Sequence, residues 1–176
     1  MELVLVRHPQ PEIAPGICYG RADISTSIEA TTLVVASLRA AALPGALSVY
    51  ASPLARCSML ANALGVPVSF DARLAEMDFG AWEMQGWDAI PRAEVDAWAA
   101  DLLHYRPGGG ENVLDVARRV AAFRKELQHP ALVICHAGTI RLLSALHAGG
   151  TLEEAALRAA NSAHRIAYGE VIVLKD

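Results

Sequence analysis

Two imidazoles and two guanidiniums, each lying just beyond a short apolar run, are the groups in this sequence best suited to act together. Arg7 and His8 follow the run 2–6, Ser52 and Arg56 follow 47–51, and His136 follows 131–135, with Gly138 and Thr139 next to it. A neutral imidazole is a nucleophile, and the guanidinium fork matches pairs of anionic oxygens. Taken singly, an Arg or His at the end of an apolar run is a solvated terminus or a local hydrogen-bond donor. The joint pattern says more. If the three runs are neighbouring parallel strands, these side chains and two helix N-termini meet around one small volume. That is an anion site, because helix N-termini add unpaired N–H donors.

The rest of the chain supplies elements that would position them. The branched apolar run 2–6 has strand character, and Pro9, Pro11, Pro15 and Gly16 exclude a helix after it. Residues 31–42 have helical composition, stopped by Pro44-Gly45, and 47–51 is again strand-like. Ser52-Pro53 reads as a helix start with serine as cap, the helix running to about Leu64 and ending at Gly65. Residues 66–70 form a short strand, followed by a stretch with three tryptophans and no clear period, ending in glycines 108 to 110. Over 112–127 the apolar positions Val113, Val116, Ala117, Val120 and Phe123 make the stripe of an amphipathic helix. A buried strand over 131–135, a helix over 138–148 and a strand over 166–174, broken at Gly169, complete the pattern. This alternation predicts an α/β sandwich with a mainly parallel sheet, one domain over 1–176, with ligand beyond the carboxyl ends of the strands.

Composition narrows the partners. At 176 residues the chain can bury a sizeable core, and its apolar runs are too short to span a bilayer. The opening residues lack the basic and then long apolar pattern of a secretory signal, so a cytoplasmic location is expected. Three cysteines cannot all pair, and Cys135 lies in an apolar run, so reduced thiols are expected. A net charge of −4 argues against nucleic acid as partner, so any anion site must be local. The six histidines show neither H-x-H nor H-E-x-x-H spacing, so no metal or other cofactor is expected. Nothing in the pattern fixes an oligomeric state.

Four segments, in order, resemble the motifs of the histidine phosphatase superfamily, which includes phosphoglycerate mutases and many small phosphatases. They are Arg7-His8, Ser52-Pro53-Leu54-Ala55-Arg56, the stretch from Leu74 through Glu76 to Phe79-Gly80, and His136-Ala137-Gly138. The resemblance implies a three-layer α/β/α sandwich of the phosphoglycerate mutase type, and catalysis through a phosphohistidine. Within the family, the segments 16–21, 78–83 and 107–111 look like those of α-ribazole phosphatases, which implies α-ribazole 5′-phosphate as substrate, in cobalamin nucleotide-loop synthesis.

His8 attacks phosphorus in line, while Arg7, Arg56 and His136 stabilise charge on the equatorial oxygens and keep His8 unprotonated. The leaving alkoxide needs a proton, and by motif Glu76 is the carboxyl to give it. Tyr19, Trp82, Trp87 and Trp98 can form a wall that stacks on a base, or can be core. Gln10, Tyr19, Arg21, Ser52 and Ala137 are further candidates for substrate contact, Arg21 reading equally well as a solvated side chain. Glu111 and Asn112 can cap the helix that follows them.

The family's R-H-G pattern is replaced here by Pro9, Gln10 and Pro11, which removes a backbone donor and a hydroxyl. Gln10 is a candidate replacement donor. Three readings stay open: a phosphatase, specific or broad; a mutase, for which so compact a chain leaves little room for the covering insertions; and a non-catalytic domain that binds a phosphorylated ligand.

Overall fold

The computed structural model describes residues 2–41, 43, 47–163 and 165–175. Among these residues five strands, β1 (Leu3–Arg7), β2 (Ser48–Ala51), β3 (Val68–Phe70), β4 (Ala131–Cys135) and β5 (Val171–Leu174), form one sheet in the order β3-β2-β4-β1-β5. The first four are mutually parallel and β5 runs antiparallel to β1. The three strands that carry the expected site residues are therefore adjacent and parallel, in the order β2-β4-β1.

Successive side chains on a strand point to opposite faces, and here both faces are covered. Leu3, Leu5, Val133 and Cys135 pack against α4 (Val113–Glu126), α5 (Ala137–His147) and α6 (Leu152–Asn161). Val4, Val6, Leu132 and Ile134 face α1 (Ile28–Ala40) and α2 (Ala55–Ala63). Every residue of β1 and β4 is buried, which is why both read as unbroken apolar runs rather than alternating ones. Burial of each large aliphatic side chain contributes about 1.5–3 kcal/mol. The result is a three-layer α/β/α sandwich.

Several boundaries depart from expectation. α1 starts three positions early because Ser27 caps it, its side chain accepting from the Ala30 amide at 3.0 Å. The expected stop at Pro44-Gly45 lies outside the described residues. α2 begins at Ala55 with no side-chain cap, so Ser52 is not the helix cap. Its hydroxyl lies 2.8 Å from Nε2 of His136, a partner 84 positions away. The final strand starts only after Gly169, where φ of +73° turns the chain. Helix α6 follows from a capping box, Thr151 with Glu154, and α3 (Arg92–Ala100) has no buried residue and so no readable stripe.

Candidate active site

His8 leaves the end of β1 and is 2 % exposed. Its Nδ1 lies 2.7 Å from the carbonyl oxygen of Pro9. A carbonyl only accepts, so Nδ1 carries the hydrogen and Nε2 keeps the lone pair. Pro9 has no amide to offer an anion, yet its carbonyl fixes the tautomer that nucleophilic attack requires. Burial, then the charges of Arg56 and Arg7, lower the pKa of His8 to about 3 against the opposing hydrogen bond to Pro9. The imidazole is neutral at any ordinary pH.

His136, at the end of β4, has its ring centroid 5.1 Å from that of His8. Burial and the neighbouring Arg56 hold it well below the ordinary histidine range. It is therefore a neutral hydrogen-bonding group, and the positive charge acting on His8 comes from the guanidiniums of Arg56 and Arg7. Burial, the leading cause of both shifts, was not part of the expectation, which invoked charge alone.

Arg56 is fully buried in the first turn of α2 and donates to the carbonyls of Ala22 and Gly20, at 2.8 and 2.5 Å. The ring of Tyr19 lies 5.4 Å from its guanidinium carbon. Arg7 donates to the carbonyl of Ile166, and its guanidinium carbon sits 3.9 Å from the ring centre of Tyr168. Tyr168 also lies 5.6 Å from His8 and shares a 3.0 Å hydrogen bond with the hydroxyl of Tyr19. Sequence reasoning missed Tyr168; the only local signal is an aromatic beside the turn-forming Gly169.

Glu76 faces the first turn of α5, one oxygen accepting from the Gly138 amide at 2.9 Å and the other from Met77 at 3.0 Å. A Cβ on Gly138 would stand 2.4 Å from the carboxylate, so glycine is needed for this approach. The backbone that carries Glu76 is held by Arg119 of α4, which donates to the carbonyls of Arg73, Ala75 and Glu76 at 2.7, 2.6 and 3.1 Å. The two helix N-termini are thus partly spoken for: Gly138 by Glu76, and the Ala55 amide by Asp23 at 2.6 Å. Ala137, at the first helical position, lines the pocket and keeps an end amide that helix geometry leaves without an intrahelical acceptor.

Arg7, His8, Tyr19, Arg56, Glu76, His136 and Ala137 all line one cavity of about 500 Å³. Its far wall is apolar and aromatic, with Phe79, Trp87, Trp98, Leu102 and Val116. Trp87 and Trp98 are parallel within 5°, with centroids 6.3 Å apart. Arg141 on α5 also lines it, a cation that sequence reading passed over.

Four expected positions lie elsewhere. Gln10 is exposed and does not line the cavity, because Pro11 pairs with Thr26 and turns this segment away. Arg21 pairs with Glu111 at 3.5 Å and is absent from the lining. Trp82 is core, 2 % exposed, its indole nitrogen donating to Glu94 at 2.8 Å. Ser52 is fully buried behind His136, so it orients the ring and does not face a ligand. Of the two proposed caps, Asn112 caps α4 in a capping box, whereas Glu111 pairs with Arg119. Among the described residues, no helix is long and apolar enough to cross a membrane, and no group of three or more His, Cys, Asp or Glu could hold a metal ion.

Fold and site together define a phosphatase of the phosphoglycerate mutase-like α/β class. The chain belongs to the histidine phosphatase superfamily, branch 1, whose family model matches residues 3–168. A glucosyl-3-phosphoglycerate phosphatase of Mycolicibacterium vanbaalenii is 32% identical over 164 residues, covering 81% of this chain and 72% of that one. A mouse 6-phosphofructo-2-kinase/fructose-2,6-bisphosphatase is 29% identical over 149 residues, and the match spans 32% of its length. Among solved structures, the α-ribazole phosphatase of Shigella flexneri superposes with a TM-score of 0.82 at 24% identity, over 99% of this chain and 90% of the other. A phosphoglycerate mutase of Thermus thermophilus gives 0.74 at 27% identity, over 99% and 92%.

Proposed function

We propose that the chain hydrolyses a small phosphate monoester through a phosphohistidine on Nε2 of His8. The observation that carries this reading is the His8 ring, neutral, tautomerically fixed by the Pro9 carbonyl and sharing one cavity with the Arg7 and Arg56 guanidiniums, whose charges act on it. In the first step the His8 lone pair forms the N–P bond as the ester P–O bond breaks, and Glu76 gives the leaving alkoxide its proton. Water then attacks phosphorus, Glu76 takes a proton back, and the N–P bond breaks to release inorganic phosphate. Arg7, Arg56 and a neutral N–H of His136 bear the charge on the equatorial oxygens throughout.

For the alcohol, α-ribazole 5′-phosphate is the leading candidate. The apolar wall with its parallel Trp87 and Trp98 suits an aromatic base better than a bare sugar acid. One observation favours a second reading, an anionic sugar phosphate: Arg141 lines the same cavity, donating to the Ser162 carbonyl and feeling the charge of Glu76 without a hydrogen bond to it among the described residues. Phosphate release, with no bisphosphate primer, should be assayed on α-ribazole 5′-phosphate, glucosyl-3-phosphoglycerate, fructose 2,6-bisphosphate and 3-phosphoglycerate. The highest kcat/KM is expected for the first. A tenfold or greater preference for an anionic sugar phosphate would replace it, and turnover only with a primer would make the chain a mutase.

A further inference from the structure

Glu83 never reaches the cavity, yet its carboxylate is one of the most heavily used acceptors among the described residues. One oxygen accepts from the amides of Arg21 and Phe79 at 2.8 and 2.9 Å, the other from Gly20 and Ala22 at 2.9 and 3.1 Å. Three of these four amides belong to the loop 20–22, whose carbonyls at Gly20 and Ala22 receive both terminal nitrogens of Arg56. The peptide groups of that loop are thereby used on both sides, amides on an anion and carbonyls on a cation. The loop also has no slack: a Cβ on Gly20 would fall 1.8 Å from the Met77 carbonyl oxygen and 2.7 Å from the Phe79 ring.

We infer that Glu83 is a positioning residue for the phosphate site, holding the 20–22 loop so that its carbonyls fix the guanidinium of Arg56 toward the bound anion. The inference rests on the assignment of Arg56 to phosphate binding made above. Apart from these two carbonyls and the Tyr19 ring, little else orients Arg56. Its side chain is fully buried, its Nε has no hydrogen-bond partner among the described residues, and no carboxylate pairs with it there. An arginine matched to a carboxylate would spend its charge on that partner. Two neutral carbonyls instead align the fork and leave the charge for phosphate. The compensating anion is moved one peptide layer away, onto Glu83, where it organises the loop without touching the guanidinium. Glu83 sits on the same segment as Phe79 and Trp87, so one carboxylate ties the apolar wall to the phosphate end.

The near-isosteric Glu83→Gln tests this. A glutamine keeps one acceptor oxygen and places an NH2 group against two of the four amides, so the loop loses one or two of its three anchors. Vanadate binding, measured on the full chain, is the readout. Glu83→Gln is expected to weaken vanadate about tenfold in the wild-type background, and less than twofold when Arg56 is already Met, since the effect passes through Arg56. Thermal unfolding should drop by the same amount in both backgrounds, separating positioning from general destabilisation. As a second measurement, the Arg56 Nε–H resonance should be sharp in the wild type and broadened in Glu83→Gln. Equal weakening in both backgrounds, or no weakening in either with an unchanged Arg56 signal, would overturn the inference while leaving the phosphate site intact. Wild-type vanadate affinity in Arg56→Met would remove the phosphate assignment itself, and the inference with it.

Discussion

At one end of the cavity His8, Arg56 and His136 are each 2 % exposed or less, while at the other Trp87 is 40 % exposed and stacks on Trp98 from a segment without regular sheet contacts. The first end grows from the carboxyl ends of three hydrogen-bonded parallel strands, so its geometry is set by the sheet. The second hangs on short helical turns and loops that pack mainly on each other, through Cys18, Trp82 and Ile90. The contrast follows the substrate. Phosphate chemistry is the same for every ester and tolerates little displacement, whereas the alcohol differs from one ester to the next and is met by an adaptable surface.

Substitutions should separate the two ends. Glu76→Gln is expected to have the largest effect of this set, lowering hydrolysis of alkyl phosphates by about a hundredfold to ten-thousandfold. Activated aryl phosphates, whose leaving groups need no proton, should lose far less. Steady-state rates on a matched pair of esters read this directly, and equal losses on both would take the general acid away from Glu76.

The buried histidines give the phosphate end a signature in stability. The unfolded chain binds a proton at His8 near its ordinary pKa of about 6.5, while the native state does not until about pH 3. The unfolded state therefore holds more protons between those limits, and stability falls as pH drops through that window, by about 1.4 kcal/mol per pH unit for this group. His136 acts with the same sign. Urea unfolding at pH 7 and pH 5 should show His8→Asn losing about 2 kcal/mol less than the wild type over that interval. Parallel losses would mean that His8 takes up protons in the native state as it does when unfolded.

At the alcohol end, Trp98→Ala should raise KM for an aromatic ester by up to about tenfold, the range of one ring contact, and leave vanadate affinity unchanged. A matching loss of vanadate affinity would show that the two ends are not separable in this way.

The same contrast explains what could be read from the chain. Strands β1, β2 and β4 declare themselves as short apolar runs ending in charged or polar residues, and the order of those runs places Arg7, His8, Arg56 and His136 together. The local S-P signal reads Ser52 as a helix cap, and His136 outcompetes it through a contact no local pattern reports. Tyr168 reaches the pocket only because the chain reverses at Gly169, whose amide bonds back to the Arg7 carbonyl at 3.1 Å. Glu83 and Arg119 act on backbone groups, and sequence spacing carries no mark of that. Gln10 and Arg21 show the reverse: suitable chemistry near the right motif, turned away by a bridge at Pro11 and an ion pair with Glu111.

Covalent transfer of phosphorus to His8 can be trapped by rapid quench. The protein is mixed with an activated aryl phosphate, quenched in alkali within milliseconds, digested and mapped by mass spectrometry. An acid-labile, alkali-stable phosphate is expected on the peptide containing His8, formed at a rate no slower than turnover. Phosphate on any other residue, or full turnover in His8→Ala, would contradict it.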